Sequence, residues 1–307
     1  MDTLLTTLRA AGEGTRLRIL VLLGEGELMV GELVQILEQS QPRVSRHLKL
    51  LSDAGLIDRL QEGTQVFYRL SDRKIAKQFV NFAFNFVDRD SEALASDARA
   101  ANYIRSQRFE RAQAYFKDNA DSWNEIRSLY VSEAEVEAAL LAMVGSRKGL
   151  DILDVGTGTG RMLELFSPLA SSALGIDVSR EMLAVARSQL AAKQLNNCHV
   201  QLGDMYDLPV KPDSKDLIIF HQVLHYAEQP QKAIAEAAKS LKQDGKLIIV
   251  DFAPHDREFL RDQHAHRRLG FAEQEMTGWA EKADIKATDV KYLDGGELTI
   301  VLWCFEK

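Results

Sequence analysis

Apolar residues recur at helical spacing through the first part of the chain. Leu4, Leu5 and Leu8 mark one amphipathic helix within residues 3–23, and a second follows in that range. The pattern predicts a third helix over residues 30–37. A fourth helix begins after a turn at residues 39–42, where Ser40 can cap it. Alternating apolar residues then predict two strands, 57–61 and 65–70, which form a hairpin.

The second half of the chain alternates short apolar runs with helical patterns. Such alternation indicates an α/β domain with a largely parallel sheet, behind a smaller α+β domain. The predicted strands are residues 150–153, 173–177, 199–204, 215–220, 247–252 and 298–305, and the predicted helices are 136–143, 161–166, 179–190, 231–241 and 256–269.

The fourth helix carries a basic stripe. At ~100° per residue, Arg43, Arg46 and Lys49 fall opposite its apolar face. Helix, turn, basic helix and hairpin in this order are typical of a winged helix-turn-helix. A solvated helix face is the alternative interpretation of the stripe.

Residues 41–56 and the strand 66–70 resemble the ArsR/SmtB-type repressors. The resemblance implies that Arg59 and Arg69 lie near DNA phosphates. Residues 27–33 lack the paired cysteines of arsenic sensors and residues 71–90 lack histidine, so no metal site is expected there. In the major groove the resemblance places Gln41, Arg43, Ser45, Arg46 and Lys49.

An aromatic stripe follows the hairpin, with Ile75, Phe79, Phe82 and Phe86 stepping by four, three and four. The repressor family pairs the equivalent helix across a two-fold axis, which implies a homodimer. Packing of the stripe against the chain's own later helices is the alternative. Residues 88–117 are polar and free of glycine and proline, which indicates a helical connector. The expected domains are therefore 1–87, the connector 88–117, and 118–307.

A glycine turn organises the larger domain. Asp154-Val-Gly-Thr-Gly-Thr-Gly160 follows an apolar strand and precedes a helix. Arg161 departs from the dinucleotide pattern GxGxxG, and no P-loop lysine follows. Asp177 and Asp204 end the next two strands. Three carboxylates at one edge of a sheet indicate a nucleoside site that does not grip phosphate.

The order of these motifs resembles the class I S-adenosylmethionine-dependent methyltransferases over roughly residues 120–307. It implies a Rossmann-like sheet of seven strands with the last antiparallel. A phosphate-binding Rossmann domain of another kind is the alternative. By the resemblance Tyr115, Phe116 and Trp123 cover the cofactor pocket, and the cofactor is held by Asp154, Gly156, Thr157, Gly158, Gly160, Asp177, Val178, Gly203, Asp204, Met205 and His221.

Composition limits the classes of protein that remain. The 307 residues are 46% apolar and 27% charged, as in a globular protein of about two domains. The net charge of −7 argues against indiscriminate nucleic-acid binding. There are two cysteines and no apolar stretch near ~20 residues, so we expect a cytoplasmic protein without disulfides or membrane spans.

Methyl transfer requires alignment of an acceptor and, for many acceptors, removal of its proton. Candidate catalytic residues after the fourth strand are His221, His225 and Tyr226, with Tyr206 also near. A structural role for His225 and cofactor packing for His221 are the alternatives. Although five of seven histidines lie between 221 and 266, we expect no metal, because His264 and His266 point ~200° apart on a helix.

The leading hypothesis is therefore a dimeric, operator-binding regulator whose second domain uses S-adenosylmethionine to methylate a small molecule. A non-catalytic repressor that senses S-adenosylmethionine or S-adenosylhomocysteine is the rival. DNA methylation is disfavoured because the fourth strand is followed by His221-Gln-Val-Leu and not by an Asn/Asp-Pro-Pro-Tyr-type motif.

Overall fold

A computed structural model of the protein describes residues 2–62, 65–71, 73–88, 91–107, 132–264 and 266–307. The chain divides into two compact units, residues 1–111 with 187–196, and residues 112–186 with 197–307. Tyr115, Phe116 and Trp123, predicted to cover a pocket, lie outside the described residues, as do residues 63–64 of the wing. No helix within the described ranges has the length and apolar character needed to cross a membrane.

The first unit has the winged helix-turn-helix order. Its three-stranded antiparallel sheet runs β1-β3-β2, and leucines such as Leu33 and Leu48 fill the core beneath it. Ser40 occupies the N-cap of α4, as predicted, but its side chain makes no capping hydrogen bond. The elements are α1 Asp2–Ala11, α2 Gly14–Gly24, β1 Leu28–Met29, α3 Val30–Leu37, α4 Gln41–Asp53, β2 Ile57–Glu62, β3 Gln65–Leu70 and α5 Lys74–Phe84.

Residues 92–107, within the predicted connector, form a helix, α6. Ala101 and Ile104 of α6 are buried in the core of the first unit. Asp97, 2% exposed, accepts two hydrogen bonds from the Arg18 guanidinium of α2 at 2.7 and 2.6 Å. This pairing raises the pKa of Arg18. The helix therefore packs as part of the first unit and not as a separate spacer.

Asp97→Ala is expected to destabilise the first unit by about 3 kcal/mol, because it leaves a largely buried guanidinium without its carboxylate. Urea denaturation followed by circular dichroism measures the change. Glu92→Ala, an exposed carboxylate on the same helix, is the control and should alter the unfolding free energy by less than about 0.5 kcal/mol. Equal effects of the two substitutions would contradict the assigned role of the Arg18–Asp97 pair.

The second unit is a seven-stranded sheet of order β6-β5-β4-β7-β8-β10-β9. The five strands β4 to β8 pair in parallel, and β10 is antiparallel to both of its neighbours, as predicted for the last strand. The strands are β4 Leu150–Val155, β5 Ala170–Asp177, β6 Cys198–Leu202, β7 Lys215–His221, β8 Leu241–Phe252, β9 Lys286–Gly295 and β10 Leu298–Glu306.

Helices cover this sheet: α7 Glu133–Val144, α8 Arg161–Phe166, α9 Arg180–Ala192, α10 Pro230–Ser240, α11 Phe259–His264 and α12 Glu273–Lys282. The central strands contain near-continuous apolar runs whose residues, Ile218 and Ile249 among them, are fully buried. Such burial is expected where helices cover both faces of a parallel sheet. The helix predicted over residues 256–269 is shorter than expected. It is limited to Phe259–His264, and His266 lies beyond its end. The carboxyl ends of β4 to β8 meet at one edge, where the candidate site lies.

Candidate functional site

The glycine turn between β4 and α8 has left-handed backbone at each of its glycines. Gly156 has φ +72°, and a Cβ there would lie 2.3 Å from Cγ2 of Val223. Gly160 has φ +84° and is the N-cap of α8. Gly158 has φ +53°, and no atom of the described residues lies within 4 Å of the point that a Cβ would occupy, so these residues leave its face of the turn open. Gly156 thus lets the Val223 side chain pack against the turn, and Gly158 leaves room for a ligand.

Asp154 is the last residue but one of β4 and is buried. The Thr157 hydroxyl donates to its Oδ2 at 2.6 Å, while Oδ1 has no hydrogen-bond partner among the described residues. Burial raises the pKa of Asp154 to about 7, the Thr157 hydrogen bond opposes this rise, and the charge of Asp177 adds to it. A cation bound beside Asp154 would favour its ionised form.

Asp177 at the end of β5 is held by backbone donors. The N–H of Gly158 donates to Oδ2 at 2.9 Å, and the N–H of Ser179 donates to Oδ1 at 2.8 Å. Among the described residues each carboxylate oxygen accepts one hydrogen bond, so two further hydroxyl donors can be accepted. Val178, beside it, is 73% exposed and offers an apolar face. This geometry suits a ribose and the base attached to it.

The loop after β6 borders the same edge. Gly203 follows β6, and a Cβ there would lie 3.0 Å from Ile176. Asp204 is exposed and accepts from the N–H of Tyr206 at 3.0 Å, while Met205 packs on the core. The Tyr206 hydroxyl accepts from the N–H of Gln229 at 3.0 Å, which joins this loop to the start of α10.

His221 is the last residue of β7 and is partly exposed. Its Nε2 has no hydrogen-bond partner among the described residues. Burial of the ring lowers its pKa, although Glu133, Asp251 and Glu137 raise it. The lowered pKa favours the neutral ring near pH 7, and its buried Nε2 has no partner among the described residues.

His225 and Tyr226 lie in a short 3-10 turn, Leu224–Tyr226, beyond β7. His225 is 2% exposed, and its Nδ1 lies 2.8 Å from Oδ1 of Asp251, a fully buried residue of β8. Tyr226 is 41% exposed, and burial of its hydroxyl raises its pKa. Sequence reasoning missed Asp251. The rule that identified Asp177 and Asp204, an acid near the carboxyl end of a strand, could have found it.

The exposed face of α4 carries the predicted DNA contacts. Gln41, Arg43, Ser45, Arg46 and Lys49 are all exposed. Arg59 on β2 is exposed as well. Arg69 is different: only 13% of its side chain is exposed, and it lies 3.9 Å from Glu27 and 4.0 Å from Asp58. The Arg69 guanidinium therefore lies between carboxylates and not on an open surface.

The described residues contain no group of three or more histidine, cysteine or acidic side chains placed to hold a metal ion.

Family models match both parts of the chain. The model "Bacterial regulatory protein, arsR family" matches residues 13–59, and the model "Methyltransferase domain" matches residues 146–293. A third model, protein-L-isoaspartate(D-aspartate) O-methyltransferase, matches residues 70–212.

Curated relatives match the larger part. An uncharacterized methyltransferase of Geobacillus sp. (strain WCH70) is 31% identical over 163 residues, 51% of this chain and 75% of that protein. Methyltransferase YcgJ of Bacillus subtilis is 32% identical over 142 residues, 46% of this chain and 55% of YcgJ. A demethylmenaquinone methyltransferase of Tropheryma whipplei is 32% identical over 149 residues, 48% of this chain and 58% of that protein. The chain thus spans little more than half the length of several of these relatives.

Solved structures share the fold of the second unit. The YcgJ crystal structure from B. subtilis superposes with a TM-score of 0.50 at 20% identity, covering 57% of this chain and 99% of YcgJ. The [4+2]-cyclase SpnF superposes with a TM-score of 0.51 at 18% identity, covering 56% of this chain and 80% of SpnF. The chain belongs to the methyltransferase family, and an arsR-family regulatory domain precedes its class I methyltransferase domain.

Proposed function

We propose that the protein is a DNA-binding transcriptional regulator that uses S-adenosylmethionine to methylate a small-molecule acceptor. The observation that carries the cofactor assignment is the Asp177 carboxylate, fixed by the Gly158 and Ser179 N–H groups beside an open glycine face. When bound, S-adenosylmethionine supplies a methyl group already activated by a sulfonium. The protein then has to bind the nucleoside, orient the acceptor and take up a proton.

The residues of the site fit this cofactor. Asp177 would accept the ribose hydroxyls, the exposed Val178 would lie against the adenine, and Oδ1 of Asp154, which has no partner among the described residues, would accept from the cofactor's amino group. Gly203, Asp204 and Met205 would border the base. His221 would pack at the methyl end, and its buried Nε2 has no partner among the described residues.

The regulatory assignment is supported by the arsR-family match and by the exposed face of α4. Arg43, Arg46 and Lys49 make no described ion pair, so their charges are available to phosphates and bases. An operator-binding regulator acts beside the chromosome, so we place it in the cytoplasm.

Calorimetry with S-adenosylmethionine, turnover to S-adenosylhomocysteine and operator affinity with and without cofactor test the proposal together. Heat of binding with turnover supports a methyltransferase. Heat without turnover, combined with a changed operator affinity, would favour the sensing repressor, because such coupling needs different cofactor affinities in the free and DNA-bound states. The absence of any heat would overturn the cofactor assignment.

We further propose a homodimer formed by α1 and α5. Among the described residues, three members of the predicted stripe are exposed: Ile75 at 62%, Phe82 at 60%, and Phe86, just beyond the end of α5, at 75%. The fourth, Phe79, packs against the core of the first unit. Leu4 and Leu8 of α1 are also exposed, at 58% and 46%. Exposed apolar residues in this number mark an interaction surface. A dimer would place two recognition helices about 34 Å apart on an inverted repeat.

Phe82→Glu is expected to convert the dimer to a monomer and to lower operator affinity at least ~100-fold, because it buries a charge in an apolar interface. Sedimentation equilibrium measures the association. Leu141→Glu, at a 38% exposed leucine of α7, is the control and should leave the mass unchanged. A Phe82→Glu protein that is still dimeric would contradict this interface.

A further inference from the structure

A cluster of aromatic and imidazole rings surrounds Asp251 at the carboxyl ends of β7 and β8. We call His225, His266, Tyr226 and Phe252 the imidazole cluster. The His225 and His266 rings stack, with centroids 4.0 Å apart and planes 25° apart. The ring centroids of Tyr226 and Phe252 lie 4.2 Å and 5.4 Å, respectively, from the ring centroid of His225. Both histidines are almost wholly buried, at 2% and 3% exposure.

Asp251 determines which nitrogen of His225 carries the proton. Its carboxylate also accepts from the backbone N–H groups of His225, at 3.1 Å, and Phe252, at 2.9 Å. An ionised carboxylate only accepts hydrogen bonds, so Nδ1 of His225 must donate to it. The lone pair of the neutral ring is therefore on Nε2.

That lone pair lacks a hydrogen bond. Nε2 of His225 and both ring nitrogens of His266 are buried without a hydrogen-bond partner among the described residues. Leaving a buried polar atom unpaired costs about 1–3 kcal/mol. Nε2 of His225 therefore lacks a donor that a bound hydroxyl group could supply, and the neutral His266 ring beside it has one N–H donor and one acceptor nitrogen.

The groups around the cluster favour a neutral ligand over an anionic one. The Asp251 carboxyl is fully buried there, and burial first and His225 next lower the pKa of His266 to about 3. The titratable neighbours of His266 are His225, Asp251, His255 and His264. The arginines of the segment are all paired with carboxylates: Arg257 with Glu297, Arg261 with Glu258, Arg267 with Glu228 and Arg268 with Glu275.

We propose that His225 is the catalytic proton acceptor, that Asp251 is its positioning residue, and that the methyl acceptor is a phenol-type hydroxyl on a neutral aromatic ring. The flat faces of Tyr226, Phe252 and His266 suit such a ring. This inference rests on the proposed methyltransferase function. Because His266 covers His225, entry of the acceptor requires the His266 ring to rotate away from the stack.

Methyl transfer from S-adenosylmethionine to the phenol oxygen requires no further reactant. The hydroxyl proton passes to Nε2 of His225, and the oxygen forms a bond to the methyl carbon while the carbon–sulfur bond breaks. The bonding electron pair remains on sulfur. The products are an aryl methyl ether and S-adenosylhomocysteine, and the imidazolium then releases its proton to solvent.

Nitrogen NMR of the full-length protein labelled with ¹⁵N-histidine tests Asp251 without an acceptor. The wild type should show His225 protonated at Nδ1, with the signal assigned by its loss in His225→Gln. Asp251→Asn should shift the proton to Nε2, because the amide N–H₂ can donate to Nδ1. Asp216→Asn, which removes a carboxylate at the amino end of β7, should leave the tautomer unchanged. Protonation at Nε2 in the wild type would overturn the positioning role.

Turnover with two probe acceptors tests the base. For catechol, which is un-ionised at neutral pH, His225→Gln and Asp251→Asn should lower kcat by ~100-fold. For 4-nitrocatechol, assayed where it is already ionised, the loss should be below ~5-fold, because no proton has to be removed. Calorimetry should show S-adenosylmethionine bound equally by all variants.

Equal losses with both probes would overturn the role of His225. Binding of S-adenosylmethionine without turnover of either phenol, or turnover of amine and thiol probes only, would overturn the acceptor class and leave the proposed function standing. Failure of the wild type to bind S-adenosylmethionine would overturn the proposed function itself.

Discussion

Replacing Asp177 by alanine is expected to lower the affinity for S-adenosylmethionine by at least ~100-fold. Two hydrogen bonds from ribose hydroxyls to a carboxylate are lost, each worth about 1.5–3 kcal/mol. The N–H groups of Gly158 and Ser179 also lose their acceptor, so the glycine turn is less well fixed. Calorimetric titration of the full chain measures the dissociation constant.

Two further variants separate binding from folding. Asp177→Asn keeps the side-chain shape and one acceptor oxygen, so its loss of affinity should be intermediate, near ~10-fold. Asp207→Ala removes an exposed carboxylate close to the same edge and should have no effect on affinity. Unchanged affinity in Asp177→Ala would show that the ribose is held elsewhere.

Most of the fold follows from local patterns. The strand, glycine turn and helix around Asp154 are predicted because apolar spacing and three alternate glycines specify that local geometry. The predicted winged helix and antiparallel last strand are confirmed by the structure. They were predictable because local patterns and a family resemblance cover long stretches of the chain. Strand β9 was not predicted, because it lies at the sheet edge and most of its residues are exposed, so it has little apolar periodicity.

Long-range polar contacts explain what the sequence did not reveal. The composition of α6 predicts a polar connector. Its attachment to the first unit could not be predicted, because Arg18, the partner of Asp97, lies 79 residues away in the sequence. Asp251 and His225 meet only because β7 and β8 pair in the observed register, which places a β8 carboxylate beside the turn after β7. Arg69 has the charge of a phosphate contact, but Glu27 and Asp58 lie around it in the fold.

The regulatory and enzymatic proposals are linked by a thermodynamic requirement. If S-adenosylmethionine changes operator affinity by some factor, operator DNA must change cofactor affinity by the same factor. A methyltransferase that bound DNA independently would show neither change. Measuring both affinities therefore provides an internal check, since a one-sided effect would indicate that one titration did not report binding at equilibrium.

The second large effect is expected on α4. The triple variant Arg43→Ala, Arg46→Ala, Lys49→Ala should lower the affinity for duplex DNA selected by the wild-type protein by at least ~1,000-fold. Loss of a base contact costs about 1–3 kcal/mol of binding free energy. Each lost phosphate contact also lowers the slope of log K against log salt concentration by about one. Fluorescence anisotropy over a salt series measures both the affinity and its slope.

A matched variant removes three positive charges from the second unit, where Lys282→Ala, Lys286→Ala and Lys291→Ala change exposed lysines. Net charge falls equally in the two proteins, so a contribution from overall charge affects both alike. Affinity should fall strongly only in the α4 variant, because the proposed function places that face, and not the lysines of the second unit, in the major groove. Equal losses would mean that the basic stripe on α4 is a solvated surface and that DNA, if bound, is bound elsewhere on the chain.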